Sequence, residues 1–482
     1  MKISFLLPSK NRLVLLRHAV ASILAQDYRD IEIVISDNAS DQDYRSYVEE
    51  LSDPRIVYSR LPSAVSVTEN WRNALSLSTG EYFLMMGDDD ALVPNFAANV
   101  LPYLSPEKPD LLYLAAYHYA YPEVLPSEPR GYLAVVRNSE FLIENTWPFS
   151  LTSRYARELA ASVVDFRYRF GFNAQHFLLN SAFVKQFDSL GSIYQSPYPD
   201  TFAAITVLAH ASSVTVVPKE SVIIGISPHS FGAYYFSNRD DEGYQFLDNE
   251  RLAPEVRASL GSVVLPGDRN NTNWLIAAEA ARRVTVPSRV PQTNVGRYRA
   301  LQAVAVLRSR YLLGFQSVQA ISELTEKLSS KEKATFALLE SAVKSAASVN
   351  RRVLVKVFTA IDRELEQFTP ATIIFLDIGL HSNIEDAVRW LAKTGGAQPP
   401  ISAKSAREEP GRAEELVDAI AESQAIDAEL RVGVVAVACL AEALLLECEQ
   451  LGIARPVARE PWWRFGLRKI RNFVVRAKRQ RT

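Results

Sequence analysis

The chain has 482 residues, of which 48% are hydrophobic and 22% are charged, and a formal net charge of −2. This composition is typical of soluble globular protein, and the length predicts two or three domains. The two cysteines cannot form a disulfide framework or a four-ligand zinc site, which indicates a reducing compartment. The N-terminus lacks the pattern of a signal peptide, so we expect no export. The longest nearly uncharged apolar run, residues 432–446, is too short to span a bilayer and predicts a buried helix.

In the first 120 residues, apolar runs of strand length alternate with segments of helical period. We expect strands over residues 3–8, 31–37, 55–61 and 81–86, with helical segments 13–26, 41–51 and 66–78 between them. Ser66 and Glu69 have the spacing of a helix capping box. This alternation predicts an α/β fold, a doubly wound, mainly parallel sheet of the Rossmann-like type. In such sheets, ligands bind at the carboxyl ends of the strands.

Carboxylates follow two of these strands. Asp37 ends the second strand, and Asp88, Asp89 and Asp90 follow the fourth. Because parallel strands bring their carboxyl ends to one edge, we expect these side chains to converge on one crevice. Clustered carboxylates suit a hard divalent cation such as Mg²⁺ or Mn²⁺, which would in turn hold a phosphate. The alternative is a solvated acidic loop. The chain has neither a GxGxxG turn after the first strand nor a P-loop, so the metal is expected to hold the diphosphate.

The first 230 residues resemble the inverting family 2 glycosyltransferases of GT-A fold, which transfer a sugar from a nucleotide diphosphate donor. The resemblance is carried by segments 3–42 and 65–94, and more loosely by 195–230. It implies a GT-A catalytic domain over residues 1–235 that binds a nucleotide sugar.

The resemblance also implies a nucleotide site, whose residues are Pro8, Ser9, Asn11, Arg12, Asp37, Asn70, Arg72 and Asp88. A carboxylate at Asp37 would accept a hydrogen bond from the N3–H of uracil or thymine, a donor that cytosine lacks. The alternative for Asp37 is a cap on the following helix. For Asn70 and Arg72 the alternative is a surface position on their helix.

The metal motif of the family is Asp-x-Asp or Asp-x-Asp-Asp, and it matches Asp88, Asp89 and Asp90. Gly87 stands where the first aspartate of the longer form would fall. We expect Asp90, together with Asp89 or Asp88, to bind Mn²⁺ or Mg²⁺. His229 matches a position where many members place a metal- or diphosphate-contacting histidine, and a structural histidine is the alternative.

Inversion requires a base that takes the proton of the attacking acceptor hydroxyl. Asp200, which precedes an expected helix, stands where the family has this base. It is alternatively a cap of that helix, with Thr201 as the first helical residue, and the two roles are compatible. The aromatic stretches 115–124 and 145–150 suit either a sugar-stacking acceptor pocket or the core.

Beyond residue 235 the pattern changes. Residues 236–294 predict an extension or linker, and residues 295–460 predict a mostly helical accessory region for acceptor binding or assembly. Within that region, residues 372–383 resemble the first strand and turn of a nucleotide-binding unit. Residues 395–412 predict a flexible linker or long loop.

The last segment, residues 461–482, is here called the basic tail. From residue 464 onward it carries eight Lys and Arg and no acidic residue, so the rest of the chain has 45 basic against 55 acidic residues. Apolar residues recur at near-helical spacing in the tail, and a basic helix of this kind suits an anionic membrane surface. The alternative is a solvated terminus or an arm docking on the acidic body.

The sequence therefore predicts a metal-dependent, inverting hexosyl- or deoxyhexosyltransferase. We expect a UDP- or dTDP-sugar donor, and a glycan or lipid-linked acceptor in surface polysaccharide synthesis. The expected location is the cytoplasm, peripheral to the inner membrane face if the basic tail binds lipid, with no nucleic-acid partner. Two alternatives stay open, a non-catalytic binding or scaffold protein of GT-A fold and a nucleotidyltransferase, which would release pyrophosphate.

Overall fold

The computed structural model of the chain describes residues 1–228, 230, 260–261, 263–285, 289–314, 318–365, 367–368 and 372–395, apart from 106, 126–127 and 144. Several expectations therefore lie outside the described residues. They concern His229, nearly all of the linker at 395–412, the apolar run at 432–446 and the basic tail.

The described elements begin with alternating strands and helices, as expected. The strands are β1 (Ile3–Ser9), β2 (Ile31–Asp37), β3 (Ile56–Arg60), β4 (Tyr82–Met85), β5 (Ala91–Leu92), β6 (Leu111–Ala120), β7 (Tyr132–Arg137), β8 (Phe149–Leu151), β9 (Phe177–Asn180), β10 (Val214–Ile226) and β11 (Thr372–Leu376). The helices are α1 (Leu13–Leu24), α2 (Tyr44–Leu51), α3 (Val67–Leu77), α4 (Phe96–Leu104), α5 (Ser153–Val164), α6 (Ser181–Lys185), α7 (Pro199–His210), α8 (Arg269–Val284), α9 (Val295–Arg308), α10 (Val318–Lys327), α11 (Ser330–Val349), α12 (Arg351–Leu365) and α13 (Ile384–Thr394).

The strands form one eleven-stranded sheet, whose main order is β11-β7-β6-β9-β4-β1-β2-β3. Strands β3, β2, β1 and β4 are parallel neighbours, which confirms the predicted parallel core. Strand β9 runs antiparallel between β4 and β6, while β10 pairs with β6 in parallel. Apolar residues pack on both faces, under α5, α7 and α8 on one side and under α1, α4 and α13 on the other. The mixed, mainly parallel sheet with flanking helices is the predicted fold class.

Local signals in the first half agree with the structure in detail. Ser66 caps α3 and forms the reciprocal capping box with Glu69. After the acidic residues come the short strand β5 and then α4, whose N-cap is Asn95.

Strand β10 runs continuously past Pro218. Its register against β6 shifts between Val217 and Glu220 and again between Glu220 and Val222. Such a bulge takes Pro218, which has no N–H to donate, out of the hydrogen-bond ladder. The Arg137 guanidinium donates to the Pro218 carbonyl at 2.7 Å, so the displaced backbone keeps a partner.

The second half of the chain packs on the same sheet. Helix α8 lies within the stretch expected to be an extension or linker, but half of its residues are buried, and the Trp274 indole donates to the Val163 carbonyl at 2.7 Å. Strand β11 is an antiparallel edge strand beside β7, and so does not begin a second nucleotide-binding unit. Helices α9 to α12 share a separate apolar cluster, in keeping with the expected helical region. Within the described residues, no helix is both long and apolar enough to cross a membrane.

Candidate active site

Ser9, the last residue of β1, joins the two groups of carboxylates. Its hydroxyl donates to the Asp88 carboxylate at 2.5 Å and lies 2.7 Å from the Tyr44 hydroxyl. Its backbone carbonyl accepts from the N–H of Asn38, directly after Asp37, at 2.9 Å. Because β2 and β4 flank β1 on opposite sides, Asp37 and Asp88 lie on the two sides of Ser9. The carboxyl ends of these strands therefore form one crevice.

Asp37 is fully buried at the end of β2. One carboxylate oxygen accepts from the Ser40 N–H at 2.8 Å, and the other accepts from the Tyr58 hydroxyl at 2.9 Å and from Arg60 at 2.8 Å. Helix α2 is capped by Asp43, so the alternative of a helix cap at Asp37 is wrong. A carboxylate offers about four lone-pair sites, so Asp37 keeps capacity for one more donor.

The loop after β1 is tied to the loop after β2. Asn11 has a left-handed φ of +57°, a conformation that asparagine tolerates better than most residues. Its side-chain amide donates to the Asp41 carboxylate at 3.1 Å, and its side-chain oxygen accepts from the Asp41 N–H at 2.7 Å. The half-buried Pro8 precedes Ser9 in β1. The hydrogen bonds between Asn11 and Asp41 hold the loop after β1, which contains predicted nucleotide-binding residues, in place beside Asp37.

Asp88, Asp89 and Asp90 are all buried, so the alternative of a solvated acidic loop is wrong. Asp90 accepts from the N–H of Gly225 at 2.9 Å and from the Gln175 amide at 2.7 Å, and also from the Gly87 N–H. Three hydrogen bonds leave Asp90 about one free lone-pair site, fewer than Asp88, which accepts two, or Asp89, which accepts one.

Asp89 and Asp88 are less committed to the backbone. Asp89 accepts from the Ser227 hydroxyl at 2.7 Å. Asp88 forms an ion pair with Arg12, whose guanidinium also lies 3.9 Å from an Asp89 oxygen. The geometry thus favours Asp88 and Asp89 over Asp90 as metal ligands, and the assignment stays a prediction. Arg12, expected in the nucleoside loop, contacts the acidic cluster through its side chain.

Gly87 precedes this cluster closely enough that a side chain there would displace its neighbours. A Cβ atom at Gly87 would lie 2.7 Å from an Asp89 oxygen and 3.0 Å from an Asp90 oxygen. A fourth aspartate at this position would therefore require the Asp89 and Asp90 carboxylates to move. The cluster has three carboxylates and one resident cation, Arg12.

Burial dominates the electrostatics of the cluster. It raises the pKa of Asp88 to about 6 and that of Asp90 to about 7, and the charge of Asp89 adds to both shifts. Arg12 acts in the opposite direction on the pKa of Asp88. A divalent cation would stabilise the ionised carboxylates in the same way.

The donor set fits a metal shared with a ligand. No three His, Cys, Asp or Glu side chains of the described residues are arranged as a metal site. Mg²⁺, however, is usually held by one or two carboxylates, with phosphate and water completing its shell. Asp88 and Asp89 supply oxygens of that type.

Asn70 and Arg72 point in different directions from α3. Asn70 is buried and accepts from the Ser36 hydroxyl at 2.6 Å, so a surface position is wrong for this residue. Arg72 donates to the Tyr194 carbonyl at 2.7 Å. Two residues correspond to roughly 200° around a helix, which separates the side chains. A nucleotide contact of either residue stays a prediction.

Asp200 lies in the first turn of α7. Tyr198 occupies the N-cap position, so Asp200 is not the cap, and its carboxylate accepts from the adjacent Thr201 N–H at 2.8 Å. Burial raises the pKa of Asp200 to about 6. No ion pair to Asp200 is formed by the residues that the structure describes. Tyr168 and Tyr194 are near enough for the Asp200 charge to raise their pKa values.

The aromatic stretches differ in burial. Tyr117 and Tyr119 in β6, and Tyr121 directly after it, are buried in the core. Trp147, in the second stretch, is 81% exposed.

Sequence reasoning did not identify several residues that shape the site. Tyr58 and Arg60 hold Asp37, and Gln175 and Ser227 hold the acidic cluster. The pair of Asp37 and Arg60 had a usable signal, because both residues end their strands and are aligned in register. Gln175 and Ser227 come from distant segments and carry no local signal.

Comparison with known proteins agrees with the resemblance seen in the sequence. The model of glycosyl transferase family 2 matches residues 4–167. The chain is 38% identical to the GalNAc(5)-diNAcBac-PP-undecaprenol beta-1,3-glucosyltransferase of Campylobacter jejuni over 95 residues. The aligned residues cover 19% of this chain and 31% of that relative. Over 97 residues, 19% and 34% respectively, it is 37% identical to Escherichia coli WcaA, named for glycosyl transfer in colanic acid biosynthesis. The chain spans about a third of the length of these curated relatives.

Two solved structures are also similar. Staphylococcus aureus TarS 1-349 in complex with UDP-GlcNAc is 15% identical with a TM-score of 0.37, covering 70% of this chain and 90% of that one. The mannosyltransferase PcManGT of Pyrobaculum calidifontis, with GDP-Man and Mn²⁺, is 12% identical with a TM-score of 0.33, covering 69% and 86%. Both TM-scores are below 0.5, and the similarity to the family rests on the sequence match over residues 4–167.

Proposed function

We propose that the chain, whose residues 4–167 match the model of glycosyl transferase family 2, transfers a sugar from a nucleoside diphosphate donor to an acceptor hydroxyl, with inversion at the anomeric carbon. The observation that carries the proposal is the meeting of Asp37 and the Asp88 to Asp90 cluster across Ser9. Asp37 suits a contact with a nucleobase, and the Asp88 to Asp90 cluster suits a metal-bound diphosphate. The nucleobase and the diphosphate are parts of one nucleotide.

The donor would bind with its base at Asp37. The carboxylate is held by Tyr58 and Arg60, so its orientation is set before a ligand arrives. An acceptor-only group there favours uracil or thymine, which present N3–H, over cytosine, which does not. We therefore infer a UDP- or dTDP-sugar as the donor, with Asn11 and Ser9 beside the nucleoside.

The diphosphate would lie at the acidic cluster. Asp88 and Asp89 would hold Mn²⁺ or Mg²⁺, which when bound neutralises the charge that develops on the departing diphosphate. Arg12 adds a second positive charge within 3.9 Å of Asp89. It is thereby also able to contact a phosphate oxygen directly.

Asp200 would act as the base. With a pKa of about 6, Asp200 is mostly ionised at neutral pH and can accept a proton. This pKa is also closer to neutral pH than that of an exposed aspartate, which favours proton transfer. The proton of the acceptor hydroxyl would pass to a carboxylate oxygen of Asp200 as the oxygen attacks the anomeric carbon. Attack from the face opposite the diphosphate inverts the configuration.

The acceptor is inferred from the relatives. One is named for a reaction on a glycan carried by PP-undecaprenol, and another for colanic acid biosynthesis. We propose a glycan or lipid-linked acceptor in surface polysaccharide synthesis, with a hexose or deoxyhexose transferred on the cytoplasmic side. The basic tail would bring the protein to the anionic membrane surface where such an acceptor lies.

A panel of nucleotide sugars tests the proposal. The protein is incubated with UDP-, dTDP- and GDP-sugars and Mn²⁺, and release of nucleoside diphosphate is measured with and without EDTA. We expect metal-dependent release from a UDP- or dTDP-sugar, at least as slow hydrolysis in the absence of acceptor. Binding without turnover would indicate a scaffold protein, and pyrophosphate release from a nucleoside triphosphate would indicate a nucleotidyltransferase.

A further inference from the structure

The surroundings of Asp200 are completed by residues far along the chain. The Tyr198 hydroxyl, two residues before Asp200, donates to the side-chain oxygen of Asn270 in α8 at 2.6 Å. The N–H of Tyr168 donates to the carbonyl of Gln367, beyond the end of α12, at 2.6 Å. The Gln367 side chain in turn donates to the Asn271 side-chain oxygen at 2.8 Å. Residues 367–368 are thus held against Tyr168 and against α8, the helix whose Asn270 contacts Tyr198 just before the predicted base, although they lie outside the matched family domain.

This arrangement exposes an aromatic ring near Asp200. The ring of Phe368 lies 5.9 Å from the ring of Tyr168 at an interplanar angle of 46°, and Phe368 is 64% exposed. Tyr168 also packs on Phe172, with ring centroids 4.7 Å apart. Burial raises the pKa of Tyr168, and the nearby Asp200 carboxylate adds to this rise. Phe172 leads into the segment that ends at Gln175, whose amide donates to Asp90. One short segment therefore links the donor side of the crevice to the aromatic pair.

We propose that Phe368 and Tyr168 form a platform on which a neutral pyranose ring of the acceptor stacks, with its attacking hydroxyl directed at Asp200. The inference rests on the proposed function and adds the acceptor site to it. The C–H groups on one face of a pyranose are electropositive and pack well on the negative face of an aromatic ring. The amides of Asn270, Asn271 and Gln367 belong to the hydrogen bonds that hold this segment, and amide groups suit the hydroxyl groups of a neutral sugar.

The platform predicts a role for the C-terminal region in catalysis. A GT-A domain ending at residue 235 would contain Tyr168 and Asp200 but not Phe368 or its contact with Tyr168. The helical region would therefore supply one wall of the acceptor site and select the acceptor.

A binding experiment tests the platform without requiring turnover. The probes are the methyl glycosides of glucose, galactose and N-acetylglucosamine at millimolar concentration, measured by saturation-transfer NMR on the full chain with UDP and Mn²⁺. Three proteins are compared, namely the wild type, Phe368→Ala and Phe375→Ala. Phe375 is a matched control, since it is 56% exposed on the edge strand β11 and contacts Tyr132, with ring centroids 5.3 Å apart.

We expect at least one glycoside to receive saturation on its ring protons from the wild type and from Phe375→Ala, and Phe368→Ala to weaken its binding about tenfold. UDP binding, measured by calorimetry, should agree within about twofold among the three proteins. A Phe368→Trp variant should keep glycoside binding, because it keeps a stacking face.

Two results would overturn the platform. One is wild-type saturation transfer in Phe368→Ala, and the other is no saturation transfer from the wild type to any of the glycosides. A loss of UDP binding in Phe368→Ala would instead assign the ring to the nucleobase. Failure of the proposed function is a separate outcome, because it would appear as absent turnover of every nucleotide sugar by the wild type.

Discussion

Replacement of Asp200 by Asn separates the catalytic role of this residue from its structural role. The Asn side chain keeps the oxygen that accepts from the Thr201 N–H but cannot take a proton. We expect kcat to fall by about 10²- to 10⁴-fold while the donor KM changes little. In the wild type, a base with a pKa of about 6 is ionised in about a tenth of molecules at pH 5. The Asp200 contribution should therefore lower the rate at pH 5 to about a tenth of its plateau. The variant should lack this contribution and keep only the pH dependence of Asp88 and Asp90, which titrate in the same range without metal.

The same substitution should stabilise the fold at neutral pH. Burial raises the pKa of Asp200 to about 6, whereas an unfolded aspartate titrates near 3.9, a difference of about two units. Because the folded state holds this proton more tightly, the free energy of unfolding decreases as pH rises from about 4 to about 6, by at most about 3 kcal/mol. The amide of the variant does not titrate, so Asp200→Asn should exceed the wild type in stability by up to that amount at pH 7.5 and match it near pH 4.

Urea unfolding across this pH range, together with pH–rate profiles, checks both effects. Asp188→Asn is the matched control, since Asp188 is exposed in a short 3₁₀ turn and should change neither stability nor rate. An Asp200→Asn protein with wild-type kcat would show that Asp200 is not the base. A variant less stable than the wild type at pH 7.5 would show that its carboxylate is held by favourable contacts and is not a destabilised functional group.

The remaining predictions concern the donor site and the tail. Asp37→Asn should weaken UDP binding about tenfold, measured by calorimetry, while CDP binding changes little, because only uracil offers N3–H; equal losses for both nucleotides would contradict the base contact. Asp89→Asn should abolish the Mn²⁺ dependence of UDP binding. It should leave the melting temperature of the free protein unchanged or higher, because it removes one of three buried like charges and keeps the Arg12–Asp88 pair. A marked fall in melting temperature would mean that Asp89 is structural. Removal of residues 461–482 should abolish co-sedimentation with anionic vesicles, which about 0.5 M salt should also weaken, and should preserve donor hydrolysis; equal sedimentation of both proteins would reject the tail as the anchor.

The parallel core of the sheet could be predicted because its determinants are local. Strands β1 to β4 are short apolar runs, and Ser66 with Glu69 marks the start of α3 within a few residues. The position of Asp37 and of the acidic cluster follows from the rule that parallel strands end on one edge. These signals need no knowledge of distant contacts.

The errors arose where distant contacts decide the local structure. Pro218 would ordinarily end a strand, but a bulge against β6 carries β10 past it. Strand β11 has an ordinary apolar sequence, and only its pairing with β7, over two hundred residues earlier, makes it an edge strand of this sheet. The burial of α8 likewise depends on partners in α5 and α7.

The site was predictable in its charges and less so in its contacts. The carboxylates of Asp37, Asp88 and Asp89 indicated a metal-bound nucleotide, and Asp200 indicated a general base. The sequence could not show that Arg12 pairs with Asp88 or that Asp90 is occupied by backbone N–H groups, because side-chain direction in a loop depends on the packed fold. It also could not show that Phe368 reaches Tyr168.

The central claim is inverting transfer from a nucleoside diphosphate sugar, and NMR of the reaction tests it most directly. Phosphorus spectra identify the leaving group, and the proton coupling at the anomeric carbon gives the configuration of the transferred or hydrolysed sugar before it equilibrates. With the donor selected from the panel and Mn²⁺ present, we predict release of nucleoside diphosphate and a product of inverted configuration, both lost in Asp200→Asn. Release of nucleoside monophosphate or pyrophosphate, or retention of configuration, would contradict the account.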